Sequence, residues 1–120
     1  MNRKDMNDYI LQTYSVEPEF PWIKYPQHAI YRHGSNRKWF AVMMDIPGTK
    51  LGIENPALIS VINLKCDPML IGSLNAQPGI YPGYHMNKAY WITVCLNGSV
   101  PDDMIKWLLN MSFDLTNRKK

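Results

Sequence analysis

The chain has 120 residues, of which 46% are hydrophobic and 12% aromatic, and its net charge is +3 at neutral pH. A chain of this size and composition buries a core of its own, so we expect one domain over residues 1–120 that needs neither disulfides nor metal to fold. The small positive charge permits nucleic-acid binding but falls short of a dense basic stripe. Charge alone therefore does not decide the function.

The first predicted element is a helix over residues 2–14. Its apolar residues recur at helical spacing, and Asn2 with Asp5 resembles a capping pair at the helix N-terminus. Residues 15–27 carry three prolines, which deny the backbone both helical and strand hydrogen bonds. We expect this segment to be an extended connector, pinned by its aromatic side chains.

Three strands are predicted after the connector. The β-rich runs 30–33 and 38–45 flank the turn sequence 34–37, which is typical of a hairpin. A long loop over 46–56 comes next. Residues 58–64 (LISVINL) then form the third predicted strand.

A second helix and two more strands follow. Asp67 as N-cap and Pro68 in the first helical position predict a helix over 68–75. The two further strands are predicted over 81–85 and 89–96. We expect a turn between them.

The last helix has the clearest signature. Pro101 is assigned to its first position, and Asp102 and Asp103 lie in the turn where the helix dipole favours negative charge. Apolar residues then recur at helical spacing, namely Met104, Ile105, Leu108, Met111 and Leu115. Residues 117–120 are predicted to be a frayed basic end.

The predicted order is α-β(3)-α-β(2)-α, which is an α+β fold. It packs most simply as two layers, with an antiparallel five-stranded sheet covered by helices on one face. In the fifth strand Ile92 and Val94 alternate with Trp91 and Thr93, and we expect the more polar series to point away from the helices. The second face should therefore be open, with the turn around Asn87 on its accessible rim.

The segment YHMNK, with a tryptophan three residues later, is the strongest candidate site. It brings together side chains that donate to phosphate or stack on a base, namely Tyr84, His85, Asn87, Lys88 and Trp91. A structural interpretation stays open beside this one. In it Tyr84 and His85 cap a tight turn, Asn87 takes a left-handed conformation, and Lys88 is solvated.

Further basic residues lie outside this segment. Lys65 follows an apolar strand and either reaches toward YHMNK, forms an ion pair with Asp67, or lies on the surface. Arg37 and Lys38 precede an aromatic pair of which strand alternation leaves at most one ring for a ligand. The predicted phosphate contacts also include Arg32, Arg118, Lys119 and Lys120.

Nothing in the sequence indicates catalysis. The histidines lack metal-ligand spacing, no serine or cysteine lies in a nucleophile motif, and the Gly-rich pieces lack the context of a phosphate-binding loop. Cys66 and Cys95 lie in apolar stretches and are predicted to be buried free thiols. We therefore expect no enzyme activity, no cofactor and no metal.

Four segments carry a family resemblance: KWFAVMMDIP (38–47), NLKCDP (63–68), YPGYHMNKAYWITV (81–94), and VPDDMIKWL with SFDLT near the C-terminus. Together they resemble the MmcQ/YjbR family, of DUF419 type, over nearly the whole chain. The resemblance implies an α-β(3)-α-β(2)-α fold like that of type III secretion chaperones. It also implies DNA binding, which has been linked in the family to a "double wing" arrangement of strands and loops.

Three functions stand as hypotheses. A DNA-binding module that contacts about four phosphates should show a slope of log K against log salt near −3.6, and Lys88→Ala should reduce it by about one. A protein-interaction or chaperone-like domain, such as a homodimer or a client-binding protein, would use the open sheet face. An enzyme or small-molecule binder would use Tyr84, His85, Asn87 and Lys65, with His85 suited to proton transfer.

The sequence also predicts where the protein works. The N-terminal residues are polar and charged where a signal peptide needs an apolar run, and no apolar stretch reaches 18 residues. We therefore expect a cytoplasmic protein without membrane contact.

Overall fold

The secondary structure follows the predicted order, with different bounds at several ends. The computed structural model describes residues 1–117, so the predicted contacts Arg118, Lys119 and Lys120 lie outside the described residues. The helices are α1 (Arg3–Tyr14), α2 (Pro68–Asn75) and α3 (Asp102–Thr116). The strands are β1 (Ala29–Arg32), β2 (Trp39–Pro47), β3 (Leu58–Lys65), β4 (Ile80–Pro82) and β5 (Trp91–Cys95), and a short 3-10 helix (Gly48–Leu51) follows β2.

The five strands form one antiparallel sheet in the order β1-β2-β3-β5-β4. The helices pack on one of its faces, where their buried residues join the main core with β-strand residues such as Met43, Ile62 and Val94. The predicted α+β class and its helix-covered sheet are confirmed. Because β5 lies between β3 and the short edge strand β4, the connection from β4 to β5 starts at one edge of the sheet.

The predicted caps of the first two helices are confirmed. The Asn2 side chain accepts a hydrogen bond from the Asp5 amide at 2.8 Å, and the Asp5 carboxylate accepts one from the Asn2 amide at 3.2 Å. Asp67 accepts from the Met69 amide at 2.9 Å at the start of α2. These bonds satisfy amides that have no partner within the helix.

The start and the buried side of α3 differ from the prediction. Pro101 is the N-cap, with an extended backbone, and its carbonyl accepts from the Ile105 amide, so the helix begins one residue later. The buried residues are Ile105, Leu108, Leu109, Ser112 and Thr116, whereas Met104, Met111 and Leu115 are only half-buried. The apolar pattern missed Ser112 and Thr116 because their burial depends on hydrogen bonds to other parts of the fold.

Strands β4 and β5 are both shorter than predicted. The pairing between them covers only Ile80 to Pro82 and Ile92 to Val94. Beyond Pro82 the Gly83 amide still donates to the Trp91 carbonyl at 3.1 Å, but the chain then turns. Residues 83–90 form a loop, which we call the 83–90 loop, instead of extended strand ends.

A register shift in the first hairpin decides the orientation of Trp39 and Phe40. Tyr31 pairs with Ala41 and Arg32 with Trp39, so Phe40 is an extra residue opposite this step. Phe40 and Ala41 are both buried in the main core, while Trp39 packs on the opposite face. The prediction that at most one of the two rings is available to a ligand is thus confirmed.

The face opposite the helices, which we call the second face, carries Trp91, Thr93 and Cys95 of β5, as predicted. It is not open, however, because a second cluster of buried residues lies on it, namely Ile30, Val42, Met44, Ile46, Val61 and Cys95. Trp22 of the proline-rich connector and Tyr84 of the 83–90 loop pack against this cluster. Partial cover by irregular segments leaves a cleft between them.

Candidate functional site

The 83–90 loop is held close to β5. A Cβ atom on Gly83 would lie 2.8 Å from the Cβ of Trp91, so glycine is needed for this close approach. The Gly83 carbonyl accepts hydrogen bonds from the Met86 amide at 3.3 Å and from the Lys88 ammonium at 3.0 Å. Lys88 is exposed. Its bond to Gly83 also helps to shape the loop, which the sequence did not predict.

A buried hydrogen-bond triangle fixes the start of this loop to the sheet. Asn63 and Thr93, which face each other on β3 and β5, are both fully buried. The Thr93 hydroxyl donates to the Asn63 side-chain oxygen at 2.5 Å and accepts from the Tyr84 amide at 2.8 Å. The Asn63 side-chain NH2 donates to the Tyr84 carbonyl at 2.9 Å. Sequence reasoning missed this role, although paired polar residues inside two apolar strands are a usable signal.

The left-handed residue of the loop is His85, not Asn87. His85 has φ of +59°, and its ring lies 4.0 Å from that of Tyr84 between centroids. Because both backbone polar groups of Tyr84 are bonded to the sheet, the reversal of the chain falls on the next residue. Asn87 instead accepts from the Ala89 amide through its side chain and from the Tyr90 and Trp91 amides through its carbonyl.

A row of alternating cations and indoles crosses one end of the second face. We define this cation–indole row as Arg32, Trp39, Lys65 and Trp91, which lie on β1, β2, β3 and β5. Arg32 pairs with Trp39 and Lys65 with Trp91 in the strand register, and the Arg32 guanidinium lies 5.9 Å from the Trp39 ring centroid. Each of the four residues is half-buried, so each keeps some surface for a ligand.

The predicted basic residues differ in their ionic partners. Glu19 of the connector forms ion pairs with Arg32 at 3.3 Å and with Arg37 at 3.5 Å. Within residues 1–117 no ion pair is formed by Lys38, Lys65 or Lys88. The alternative pairing of Lys65 with Asp67 is not observed there, since the Asp67 side chain caps α2.

The cleft on the second face, which we call the aromatic cleft, has a volume of about 750 Å³. Its floor is made by Val42, Met44 and Ile46 of β2. Aromatic side chains line its walls, and Asp45 and Lys50 bring charged groups to it. The remaining lining residues are Trp22, Tyr25, His28, Trp39, Pro47, Tyr84, His85 and Met86. The sequence brought Tyr84 and His85 into a candidate site but gave no signal for the opposite wall.

Asn87, Lys65 and His85 do not share one pocket, contrary to the small-molecule hypothesis. Of its four residues only Tyr84 and His85 line the aromatic cleft. Lys65 lies in the cation–indole row, and Asn87 is exposed on the loop. The structure therefore places Lys65 in the row, Tyr84 and His85 in the cleft, and Asn87 outside both, while the row and the cleft share Trp39.

The histidines occupy three different environments. His28 lines the cleft, and burial, aided by the positive charge of Arg3, lowers its pKa below the ordinary value. His33 is buried against α3, where its Nε2 lies 2.7 Å from the Thr116 hydroxyl, and burial lowers its pKa as well. Both of these rings are therefore neutral at neutral pH. His85 is exposed at the cleft.

Both cysteines are buried free thiols, as predicted. Burial raises the pKa of Cys66 to about 11 and raises that of Cys95 as well. A thiol with a raised pKa is a poor nucleophile at neutral pH. No group of three or more histidine, cysteine, aspartate or glutamate side chains in the described part of the chain is arranged to hold a metal ion.

A sequence model of the family described as YjbR matches residues 11–115. The chain belongs to the YjbR family. The uncharacterized protein YyaQ of Bacillus subtilis is 38% identical over 116 residues, which are 97% of this chain and 98% of that protein. The uncharacterized protein YjbR of Escherichia coli is 42% identical over 62 residues, about half of each chain. The resemblance inferred from the motifs is confirmed.

Solved structures agree with this assignment. A crystal structure of a Pseudomonas syringae protein with 49% identity superimposes with a TM-score of 0.96, covering 98% of this chain and all of that one. A Deinococcus radiodurans protein with a DUF419 domain superimposes with a TM-score of 0.73 at 25% identity, covering 98% and 80% of the two chains. Nearly the whole chain thus shares its fold with these two solved proteins.

None of the helices within residues 1–117 is both long enough and apolar enough to cross a bilayer.

Proposed function

We propose that this YjbR-family protein is a non-enzymatic DNA-binding protein whose contacts are made by the cation–indole row and the 83–90 loop. The observation that carries the proposal is the alternation of Arg32, Trp39, Lys65 and Trp91 across four adjacent strands. A sheet surface with interleaved cations and aromatic rings suits the backbone and the bases of a nucleic acid together. We include a cytoplasmic location in this proposal.

The row favours single-stranded over duplex DNA. An indole stacks on a base only where the base is not enclosed in a duplex, and stacking is worth about 1–3 kcal/mol per base. Trp39 and Trp91 are each flanked by a cation of the row, so a strand that lies across the row meets phosphate contacts and stacking surfaces in turn. We therefore expect tighter binding to oligothymidylate than to a duplex of equal length.

The salt dependence should be weaker than the sequence implied. Arg32 and Arg37 already share Glu19, whereas Lys38, Lys65 and Lys88 have no carboxylate partner within residues 1–117. Three lysine–phosphate contacts correspond to a slope of log K against log salt of about −2 for a single strand and about −2.7 for a duplex. These values replace the slope of about −3.6 that was expected for four phosphate contacts.

Fluorescence anisotropy with dye-labelled oligothymidylate and a duplex of equal length, between low and moderate salt, tests the proposal. We expect Lys65→Ala to weaken binding and to reduce the magnitude of the slope by nearly one. Lys4→Ala is the matched control, because Lys4 lies on α1 and pairs with Asp8 at 2.9 Å. Affinity that does not change with salt, or no binding to either DNA at low salt, would contradict the proposal.

A protein partner is the second candidate function. Ile23 of the proline-rich connector is 96% exposed, and Phe20 and Tyr25 beside it are more than half exposed. Exposed apolar side chains grouped on one segment are typical of contact with another protein, such as a second copy of the chain. Light scattering after size-exclusion chromatography tests self-association through the molar mass of the eluting protein. A monomer's molar mass at high concentration, with the same elution volume for Ile23→Ser, would exclude the homodimer.

A further inference from the structure

The aromatic cleft has the dimensions and lining of a small-molecule site. Its volume of about 750 Å³ lies within the range of about 300–1,000 Å³ that ligand pockets usually have. Its floor is made of the apolar side chains of Val42, Met44 and Ile46, which are packed tightly and are all at most 5% exposed. The cation–indole row adjoins it only at Trp39.

One wall of the cleft presents aromatic rings in two orientations. The rings of Tyr25 and His28 are stacked with centroids 4.8 Å apart, and those of Trp22 and Trp39 are perpendicular with centroids 5.7 Å apart. Ring faces and ring edges are therefore both available to an aromatic guest, which prefers offset-stacked and edge-to-face contacts. Tyr84 adds a further ring on the opposite wall.

Both walls are held in place by hydrogen bonds within the protein. Tyr84 is fixed by the buried triangle with Asn63 and Thr93. The connector is fixed by two backbone bonds of 2.9 Å between Glu19 and Ile30, and its turn is closed by a bond from the Tyr25 amide to the Trp22 carbonyl. A cleft whose shape is already fixed loses little conformational entropy when it binds a ligand.

The charges at the cleft favour a ligand with one negative charge. Asp45 is engaged by Arg3 at 3.1 Å and by the Ser60 hydroxyl at 2.6 Å. Lys50, at the mouth, has no ion-pair partner within the described residues. His28 is neutral at neutral pH, so it contributes a stacking surface without a charge.

From this geometry we propose that the aromatic cleft is a second binding site, which takes a planar aromatic molecule of two or three rings with a single carboxylate or sulfonate near Lys50. The aromatic part lies on the apolar floor among Trp22, Trp39 and Tyr84. The site shares Trp39 and part of the 83–90 loop with the proposed DNA surface, but the lysines assigned to DNA lie outside the cleft, so substitution of a lysine tests the two sites separately.

The probe for this proposal is 1-anilinonaphthalene-8-sulfonate, an aromatic monoanion with a planar naphthalene unit whose fluorescence rises in apolar sites. We expect saturable binding of one molecule per chain with a dissociation constant of about 100 µM or tighter. Naphthalene-2-carboxylate should displace the probe, whereas cyclohexanecarboxylate should not, because it cannot stack. Failure of the probe to saturate, or equal displacement by both competitors, would overturn the proposal.

Trp22→Ala and Trp107→Ala form a matched pair of variants. Trp22 lines the cleft, while Trp107 is an exposed indole of α3 on the helix side of the molecule. We expect Trp22→Ala to raise the dissociation constant of the probe about ten-fold and Trp107→Ala to change it less than about two-fold. Equal effects of the two substitutions would overturn the proposed location.

Nuclear magnetic resonance on the unsubstituted protein removes any dependence on the folding of the variants. On titration with naphthalene-2-carboxylate, the indole resonances of Trp22 and Trp39 should shift, and that of Trp107 should not. The same titration with Lys65→Ala separates this site from the DNA surface, because that variant should lose oligonucleotide affinity and keep the shifts. Shifts at Trp107 alone would place the ligand elsewhere and refute the inference.

Discussion

The two faces of the sheet are covered in different ways. On the helix face, regular helices bury a continuous apolar core, and the polar groups inside it are bonded in place: the Ser112 hydroxyl donates to the Phe40 carbonyl at 2.6 Å and accepts from the Lys65 amide at 2.8 Å. On the second face, an irregular connector and a loop cover a smaller cluster. Within residues 1–117, only this second face combines a cleft floored by the sheet with aromatic and cationic side chains.

The difference follows from the backbone of the covering segments. A helix satisfies its own backbone groups and lays a regular row of side chains on the sheet, which excludes space between the layers. A proline-rich connector lies on the sheet only at a few points, here through Trp22 and the bridge from Glu19 to Ile30. The face with irregular cover is therefore the one where a ligand finds room.

The largest expected effect compares core substitutions on the two faces. Leu64→Ala, in the fully buried helix-side core, should lower the free energy of unfolding by about 3 to 4 kcal/mol, because it leaves an enclosed cavity. Met44→Ala should cost less, about 2 kcal/mol, because the lost volume opens into the aromatic cleft. Urea denaturation measures both, and an equal or larger loss for Met44→Ala would mean that the second face is closed in solution.

The next effect concerns the hydrogen-bond triangle that holds the 83–90 loop. Thr93→Val keeps the shape of the side chain but removes the hydroxyl, so the Tyr84 amide and the Asn63 oxygen lose a partner. We expect a loss of about 2 kcal/mol in thermal or urea unfolding. Thr93→Ser, which keeps the hydroxyl, is the control and should retain most of the free energy of unfolding that Thr93→Val loses. A similar loss for both variants would show that packing, not hydrogen bonding, matters at this position.

Much of the helix face could be predicted from the sequence, because its signals are local. Asn2 with Asp5 and Asp67 with Pro68 mark helix starts through bonds within one turn of chain. Strand alternation in β5 likewise assigned Trp91 and Thr93 to the second face. These patterns hold because helices and strands repeat their side-chain directions at fixed periods.

The candidate site was predicted only in part, because it joins distant segments. The accessible Lys88 and Trp91 follow from the local YHMNK motif, but the cleft exists only where Trp22, Val42 and Tyr84 meet. The left-handed conformation was assigned to Asn87 by its residue type, whereas the bonds of Tyr84 to two strands place it at His85. Long-range hydrogen bonds of this kind leave no periodic trace in a sequence.

A smaller effect should appear with pH on the helix face. The pKa of His33 is lowered by burial in the folded protein, so below about pH 6.5 the unfolded state takes up a proton that the folded state does not. The free energy of unfolding should therefore be highest above pH 6.5 and fall as the pH drops through the folded pKa of His33. His33→Gln should flatten this dependence in urea denaturation at several pH values, and His28→Asn measures the separate contribution of the other ring whose pKa is lowered by burial. A profile unchanged by His33→Gln would contradict the assignment.

The smallest effect on stability, with a clear effect on binding, is expected for Glu19→Gln. Its two ion pairs involve partly exposed side chains, so their loss should cost only about 0.5 kcal/mol. The same change leaves Arg32 and Arg37 without their carboxylate partner, so DNA affinity should rise and the salt slope should steepen by about one to two. Glu17→Gln, a neighbouring carboxylate that forms no ion pair within residues 1–117, is the control. If Glu19→Gln leaves the slope unchanged, the two arginines do not contact DNA, and binding by the row depends on Lys65 with its flanking indoles.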